Sequence, residues 1–188
     1  MTIYVSSDWH IQHDKDFIWK ERGFETLTDH DVEILKHVDA LLETDMLIFV
    51  GDMAMSVNRK ALIADVFDRC RAKIIFCRGN HDPTLKQLTE LSKGTTRERI
   101  IVNSYRLLSL PDTFILGHYP PTDAEGASHN SHAFDAPEYV KGVTIVHGHT
   151  HSKIRRSKLG AVNVCWDAWG RFPTIEDVRS YTREHNYE

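Results

Sequence analysis

The sequence predicts an α/β fold. Short β-branched apolar runs alternate with helical patterns over the first half, and the second half reads as short strands joined by turns. Five of the apolar runs also end in Asp, Asn or His at their carboxyl ends, the edge at which an open α/β sheet binds ligands.

The first strand is the run Ile3-Tyr4-Val5. A helix over roughly 30–44 follows, with Ile34, Val38, Leu41 and Leu42 at helical spacing and Asp29 as its cap. Residues 46–50 and 73–77 read as buried strands. Between them, 59–71 reads as a helix with Leu62, Ile63, Val66 and Phe67 on its apolar side. Strand–helix–strand–helix–strand predicts a parallel sheet with right-handed crossovers. Beyond it, 99–102, 105–110 and 113–116 are short strands joined by Asn-Ser and Pro-Asp turns, which suggests a meander. Residues 143–147 form another strand, and 153–157 and 161–164 flank Leu159-Gly160 as a hairpin. A last helix is expected from 174 to about 181, with Pro173 just before it. The stretches 10–28 and 119–139 lack periodicity, and long loops in a compact domain are commonly functional.

Size and composition narrow the function classes. A chain of 188 residues suits one domain, 1–188, with a real core. A net charge of -4 without a Lys/Arg block disfavours an extended nucleic-acid surface. The trio Arg155, Arg156 and Lys158 reads as a solvated hairpin edge. Cys70, Cys77 and Cys165 have no CxxC spacing, so neither a disulfide framework nor a thiolate zinc site is suggested. With no leader-like segment and no membrane-length apolar run, a cytoplasmic protein with no membrane partner is expected. Twelve histidines are an excess that points to metal or proton chemistry.

Their positions favour metal. The first strand ends in Ser7-Asp8-Trp9-His10, and residues i and i+2 on a strand end point the same way. The second ends in Gly51-Asp52 and the third in Arg78-Gly79-Asn80-His81-Asp82. Two later strands end in Gly117-His118 and in His147-Gly148-His149-Thr150-His151. Carboxylate oxygen, amide oxygen and imidazole nitrogen without thiolate suit manganese, iron or zinc rather than calcium or a structural zinc. Within the third block, His81 can serve as an acid with Asp82 orienting it. Arg78 is a candidate cation for phosphoryl oxygens or a plain surface arginine, and His13 a candidate substrate contact or a plain loop histidine. His147 reads as a supporting residue beside the ligands, and Asp167 either orients a ligating histidine or caps a turn. His129 and His132 stand as loop candidates for substrate, while His30, His37 and His185 read as structural or surface residues.

The series Asp8-x-His10, Gly51-Asp52, Gly79-Asn80-His81-Asp82, Gly117-His118 and Gly148-His149-x-His151 resembles the calcineurin-like metallophosphoesterase superfamily. The N-terminal block with His13, and the run from Asn163 to Trp169, resemble its short single-domain bacterial and phage-type members. The resemblance implies a four-layer α/β/β/α sandwich with two mixed sheets and a dinuclear metal site at the C-terminal strand edge. It implies that Asp8, His10 and His151 hold one divalent ion and that Asn80, His118 and His149 hold the other, with Asp52 bridging. Manganese is the first choice, with iron, zinc or nickel as alternatives. It further implies in-line attack of a metal-bridging hydroxide on a small-molecule or nucleotide phosphate ester, with His81 protonating the leaving oxygen and Asp82 behind it. A nuclease acting on DNA or RNA ends, and a catalytically silent binding scaffold, are the competing readings. The intact ligand set and His81 favour activity over the scaffold. Monoester or diester preference and oligomeric state are left open by the sequence.

Overall fold

A computed structural model of the chain describes residues 1–110, 112–121, 136–156 and 159–184. The first sheet is built from β1 (Ile3–Ser6), β2 (Met46–Phe49), β3 (Lys73–Cys77) and β4 (Arg99–Val102), in that order. Every pairing in it is parallel, from Ile3 against Met46 to Cys77 against Val102. Helices α1 (Asp16–Trp19), α2 (Leu27–Ala40), α3 (Arg59–Arg69) and α4 (Leu85–Lys93) occupy the connections. The second sheet has the order β5 (Tyr105–Leu110), β6 (Asp112–Gly117), β7 (Thr144–His147) and β8 (Val162–Asn163). In it β5 and β6 are antiparallel and the remaining pairs parallel. Two helices follow, α5 (Trp166–Trp169) and α6 (Ile175–Glu184).

Side-chain alternation distributes the core. Leu47, Phe49, Ile74 and Phe76 face a helical layer that contributes Ile34, Val38, Ile63, Phe67 and Leu88. The alternate residues Val5, Ile48, Val50, Ile75 and Cys77 face the second sheet, meeting Phe114, Leu116, Val146 and Val162. The far face of the second sheet carries a smaller cluster of Ile115, Ile145 and Ala161, to which no helix contributes among the described residues. Arg99 is buried and donates to the carbonyls of Phe67 and Cys70, both at 2.6 Å, and of Ala72 at 2.7 Å. It thereby satisfies carbonyls that the end of α3 leaves without helical partners. Among the described residues, no helix is long and apolar enough to cross a membrane.

Several expectations are corrected. The first sheet is all parallel rather than mixed. Residues 99–102 belong to it, because α4, a helix not among those expected although Leu85, Leu88 and Leu91 stand at helical spacing, carries the chain back to the start of the sheet. A local signal for α4 existed: Thr84 and Gln87 form a reciprocal capping box. The cap of α2 is Thr26, which accepts from the Asp29 backbone N–H, so the helix starts three residues before the expected position and ends at Ala40. Of the expected strand 153–157, the described residues 153–156 are not a strand: a single antiparallel bridge joins Arg156 to Val162, and β8 pairs in parallel with β7 instead. Lys158, His129, His132 and His185 lie outside the described residues, as does most of the non-periodic stretch 119–139.

Candidate metal centre

The candidate residues stand where the parallel strands of both sheets end, and the backbone bends there in an uncommon way. Asp8, His10, Asp52, His149 and His151 have φ values of 55°, 51°, 60°, 71° and 49°, all left-handed. Non-glycine residues seldom adopt this region, so strain concentrates on these positions. The turns are held by backbone bonds from Asp8 N–H to the Gly51 carbonyl at 2.9 Å and from His10 N–H to the Asp52 carbonyl at 3.2 Å. Close approach explains the neighbouring glycines. A Cβ on Gly79 would stand closer than 3.0 Å to the Asp52 side chain, one on Gly148 closer than 3.0 Å to Asp8 Oδ2, and one on Gly51 closer than 3.0 Å to His118 Nδ1.

Two groups of ligand atoms result, each within 4.8 Å: Asp8 with His10 and His151, and Asp8 with Asp52 and His118. The Nε2 atoms of His10 and His151 are 3.1 Å apart, and each lies near Asp8 Oδ1, at 3.9 Å and 3.6 Å. His10 Nε2 also lies 3.8 Å from Asp52 Oδ2. On the other side, His118 Nε2 is 3.3 Å from Asp52 Oδ2 and 2.9 Å from Asn80 Oδ1. His149 belongs to neither group. Its ring packs edge-on against His118 and Tyr119, and its backbone N–H donates to Asp8 Oδ2 at 2.9 Å.

The donor set fits cations. His118 Nδ1 faces the Val50 carbonyl at 2.8 Å, so that nitrogen carries the proton and Nε2 offers a lone pair inward. His151 Nδ1 faces Asp167 Oδ2 at 3.1 Å with the same consequence. Lone pairs therefore point at carboxylate oxygens. Asp8 Oδ1 is buried without any hydrogen-bond partner, and so are Ser7 Oγ and His10 Nδ1. Buried acceptors facing buried acceptors are costly unless a positive charge stands between them.

Where no cation stands, the carboxylates draw a second proton onto a histidine instead. Burial alone would raise Asp8, yet contact with His10 and the charges of His118 and His151 hold it well below the usual carboxylate range. Burial pulls His118 down, but the Asp52 carboxylate outweighs it and the pKa rises to about 9. His149 is lowered to about 4, first by burial and then by His118. Asp167 falls to about 2: burial opposes this, but His151 and Arg22 prevail.

The remaining candidates lie around this pair of groups. The half-buried His81 ring stands 5.6 Å from the His10 ring, and its backbone N–H donates to Asp52 Oδ1 at 2.9 Å. Asp82 does not orient the His81 ring as expected. Its two oxygens instead accept the backbone N–H groups of Asp52 (2.8 Å), Gly79 (2.8 Å) and Met53 (3.1 Å). Burial and the nearby Asp52 charge push Asp82 up to about 6. Arg78 donates from Nε to the Pro83 carbonyl at 2.9 Å. His13 sits 5.4 Å from the His10 ring and 5.6 Å from that of Phe17, an aromatic 60% exposed. His147 is buried, with Nδ1 on the Gly148 carbonyl at 2.9 Å and Nε2 unpartnered.

Three contributors escaped sequence reasoning. Arg22, from a stretch with no periodicity, donates to both oxygens of Asp167. Its neighbour His30 is buried, in keeping with the structural one of its two expected readings, and its contact with Arg22 is what the sequence did not announce. The Cys165 thiol donates to Asp8 Oδ2 at 3.2 Å. An isolated Arg or Cys carries no spacing signal, so nothing in the sequence singled these out.

Comparison with known proteins adds the following. A family profile described as calcineurin-like phosphoesterase matches residues 1–153. The Gene 66 protein of Mycobacterium phage D29 is 24% identical over 197 aligned residues, covering 97% of this chain and 96% of its own. The uncharacterized protein MJ1445 of Methanocaldococcus jannaschii is 24% identical over 139 residues, covering 72% of this chain and 73% of its own. Among solved structures, the AQ665 protein of unknown function from Aquifex aeolicus shares the fold with a TM-score of 0.70 at 18% identity, covering 96% of this chain and 98% of that one.

Proposed function

The chain belongs to the calcineurin-like phosphoesterase family, and on that premise we propose that it hydrolyses a phosphate ester of a small molecule or nucleotide at a dinuclear centre of divalent ions, manganese first among them. The observation that carries the reading is the convergence of the Nε2 atoms of His10, His151 and His118 on buried oxygens of Asp8 and Asp52, one of which has no partner. Asp8, His10 and His151 would hold one ion; Asn80, His118 and His149 would hold the second, with Asp52 shared. The proximity of Asp8 to both groups makes it a further candidate for sharing. His149 is the ligand least supported by position, since its ring neighbours His118 without joining either group. A helical layer over the outer face of the second sheet, the fourth of the expected sandwich, belongs to the same proposal.

Two bound ions would supply an acidified water as nucleophile and neutralise charge on the phosphoryl oxygens. The chain's own groups do the rest. Asp167 and the Val50 carbonyl fix the His151 and His118 rings so that each presents Nε2. His81, beside His10 and half-buried, is placed to give a proton to the departing alkoxide. His13 and the exposed Phe17 form one lip, suited to the organic part of the ester. The protein should be assayed on bis-p-nitrophenyl phosphate and p-nitrophenyl phosphate with Mn²⁺ and with chelator, alongside elemental analysis. Chelator-sensitive turnover with about two metals per chain is expected. No turnover and no bound metal would overturn the reading in favour of a binding scaffold.

A further inference from the structure

Arg22 is 2% exposed, and a buried guanidinium is tolerated only when its donors are met. Arg22 meets all five. Nε and Nη2 donate to the two oxygens of Asp167, at 3.1 Å and 2.8 Å. Nη2 also donates to the Asp8 carbonyl at 2.7 Å, and Nη1 to the Trp9 carbonyl at 3.0 Å. The fifth N–H, on Nη1, faces His30 Nε2 at 2.7 Å. Because arginine only donates, His30 accepts there, and its ring proton sits on Nδ1, 2.9 Å from Asp31 Oδ1. Asp31 in turn accepts the side-chain and backbone N–H groups of Gln12, at 2.6 Å and 3.1 Å from Oδ2.

These contacts close a ring around one metal seat. Arg22 grips the backbone of Asp8 from behind, and through Asp167 it grips Nδ1 of His151. The inward atoms of the same two residues, Asp8 Oδ1 and His151 Nε2, stand 3.6 Å apart. The left-handed turn at Asp8 and the ring orientation of His151 thus depend on a single planar fork. We propose that Arg22 is a positioning residue for the seat formed by Asp8, His10 and His151, acting through Asp167 and the Asp8 carbonyl, and selective for that seat over the one at His118. The second seat is braced independently, by the Val50 carbonyl and by Asp82. A Lys at this position has three donors and no fixed fork, so it cannot reproduce the set.

This inference rests on the dinuclear reading, and Mn²⁺ binding tests the two separately. Stepwise Mn²⁺ affinities are measured on the intact chain by calorimetry and by electron paramagnetic resonance of free Mn²⁺, for wild type, Arg22→Gln, Arg22→Lys, Asp167→Asn and the Arg22→Gln/Asp167→Asn pair. Wild type is expected to bind two ions. Arg22→Gln and Asp167→Asn should each weaken one ion by roughly 10–100-fold and the other far less. Arg22→Lys should recover part of the loss, and the double variant should lose less than the sum of the two singles, since both remove the Asp167 route. Equal weakening of both ions, additive losses, or two unaltered ions would overturn the proposal alone. Fewer than two ions in wild type would overturn the dinuclear reading and the proposal with it. Should Arg22→Gln fail to fold, Arg22→Lys and Asp167→Asn decide: one selectively weakened ion in each supports the role, and any other pattern rejects it.

Discussion

Asp82 accepts the backbone N–H of Asp52 at 2.8 Å, and Asp52 accepts the backbone N–H of His81, the residue beside Asp82, at 2.9 Å. Each aspartate therefore fixes the loop that carries the other. Asp82→Ala would leave three buried backbone donors unsatisfied. A destabilisation of about 3 kcal/mol or more is expected, read as a lower urea midpoint at unchanged slope. A midpoint within experimental scatter of wild type would show that water replaces the carboxylate and that the lock is unimportant.

His81 touches neither ligand group through its ring nitrogens, although its ring adjoins that of His10. His81→Ala is accordingly expected to keep two bound metals while turnover slows by roughly 10²–10⁴-fold. The loss should be greatest for esters with poor leaving groups, which need the proton most. Metal content measured beside kcat checks this; release of an ion from the variant would reassign His81 as a ligand.

Gly148 lies against Asp8 Oδ2 and Ser7 Oγ so closely that a methyl group cannot enter without moving them. Gly148→Ala should lower stability by about 1–3 kcal/mol as an overpacking change and weaken metal binding as well. Thermal unfolding with and without Mn²⁺ measures both effects. An unchanged melting temperature would mean that the loop shifts freely.

Asp177 tests electrostatics away from the centre. Its Oδ2 accepts from Arg171, from the Thr174 N–H and from the Thr174 hydroxyl, which together hold its pKa at about 2 against an ordinary value of 3.8, burial opposing the shift. A depressed folded pKa stabilises above the unfolded value and is lost as pH falls through the folded one. Because the pair is partly exposed, Asp177→Asn should cost only about 1 kcal/mol at neutral pH. The difference should shrink as pH falls from 4 towards 2. A difference that stays constant over that range would assign the effect to shape rather than charge.

Much of the site was legible because its ligands sit at fixed short offsets from apolar runs. Asp8 and His10, Asp52, Asn80, His118 and His151 are all brought together. Short continuous apolar runs likewise gave the first three strands. What stayed hidden was the support. Arg22, His30 and Cys165 act over separations of up to 157 residues, and no local pattern marks such contacts. The placement of β4 depended on α4, whose cap at Thr84 was a stronger sign than its apolar content. The left-handed backbone at five candidate ligands was equally invisible, since Asp and His enter that region more readily than most residues but also stand in many ordinary conformations.

The first seat joins residue 10 to residue 151, which are 141 positions apart. During synthesis His10 therefore waits, unpartnered, until most of the chain has been made and the two sheets have met. A cation cannot template this centre early, as it does in small domains that fold around zinc. On the proposed metal reading, assembly of the first seat would come first and loading second. The same separation makes loading a report on completeness: a chain that stops short of His151 can bury much of its core and still lack the first seat.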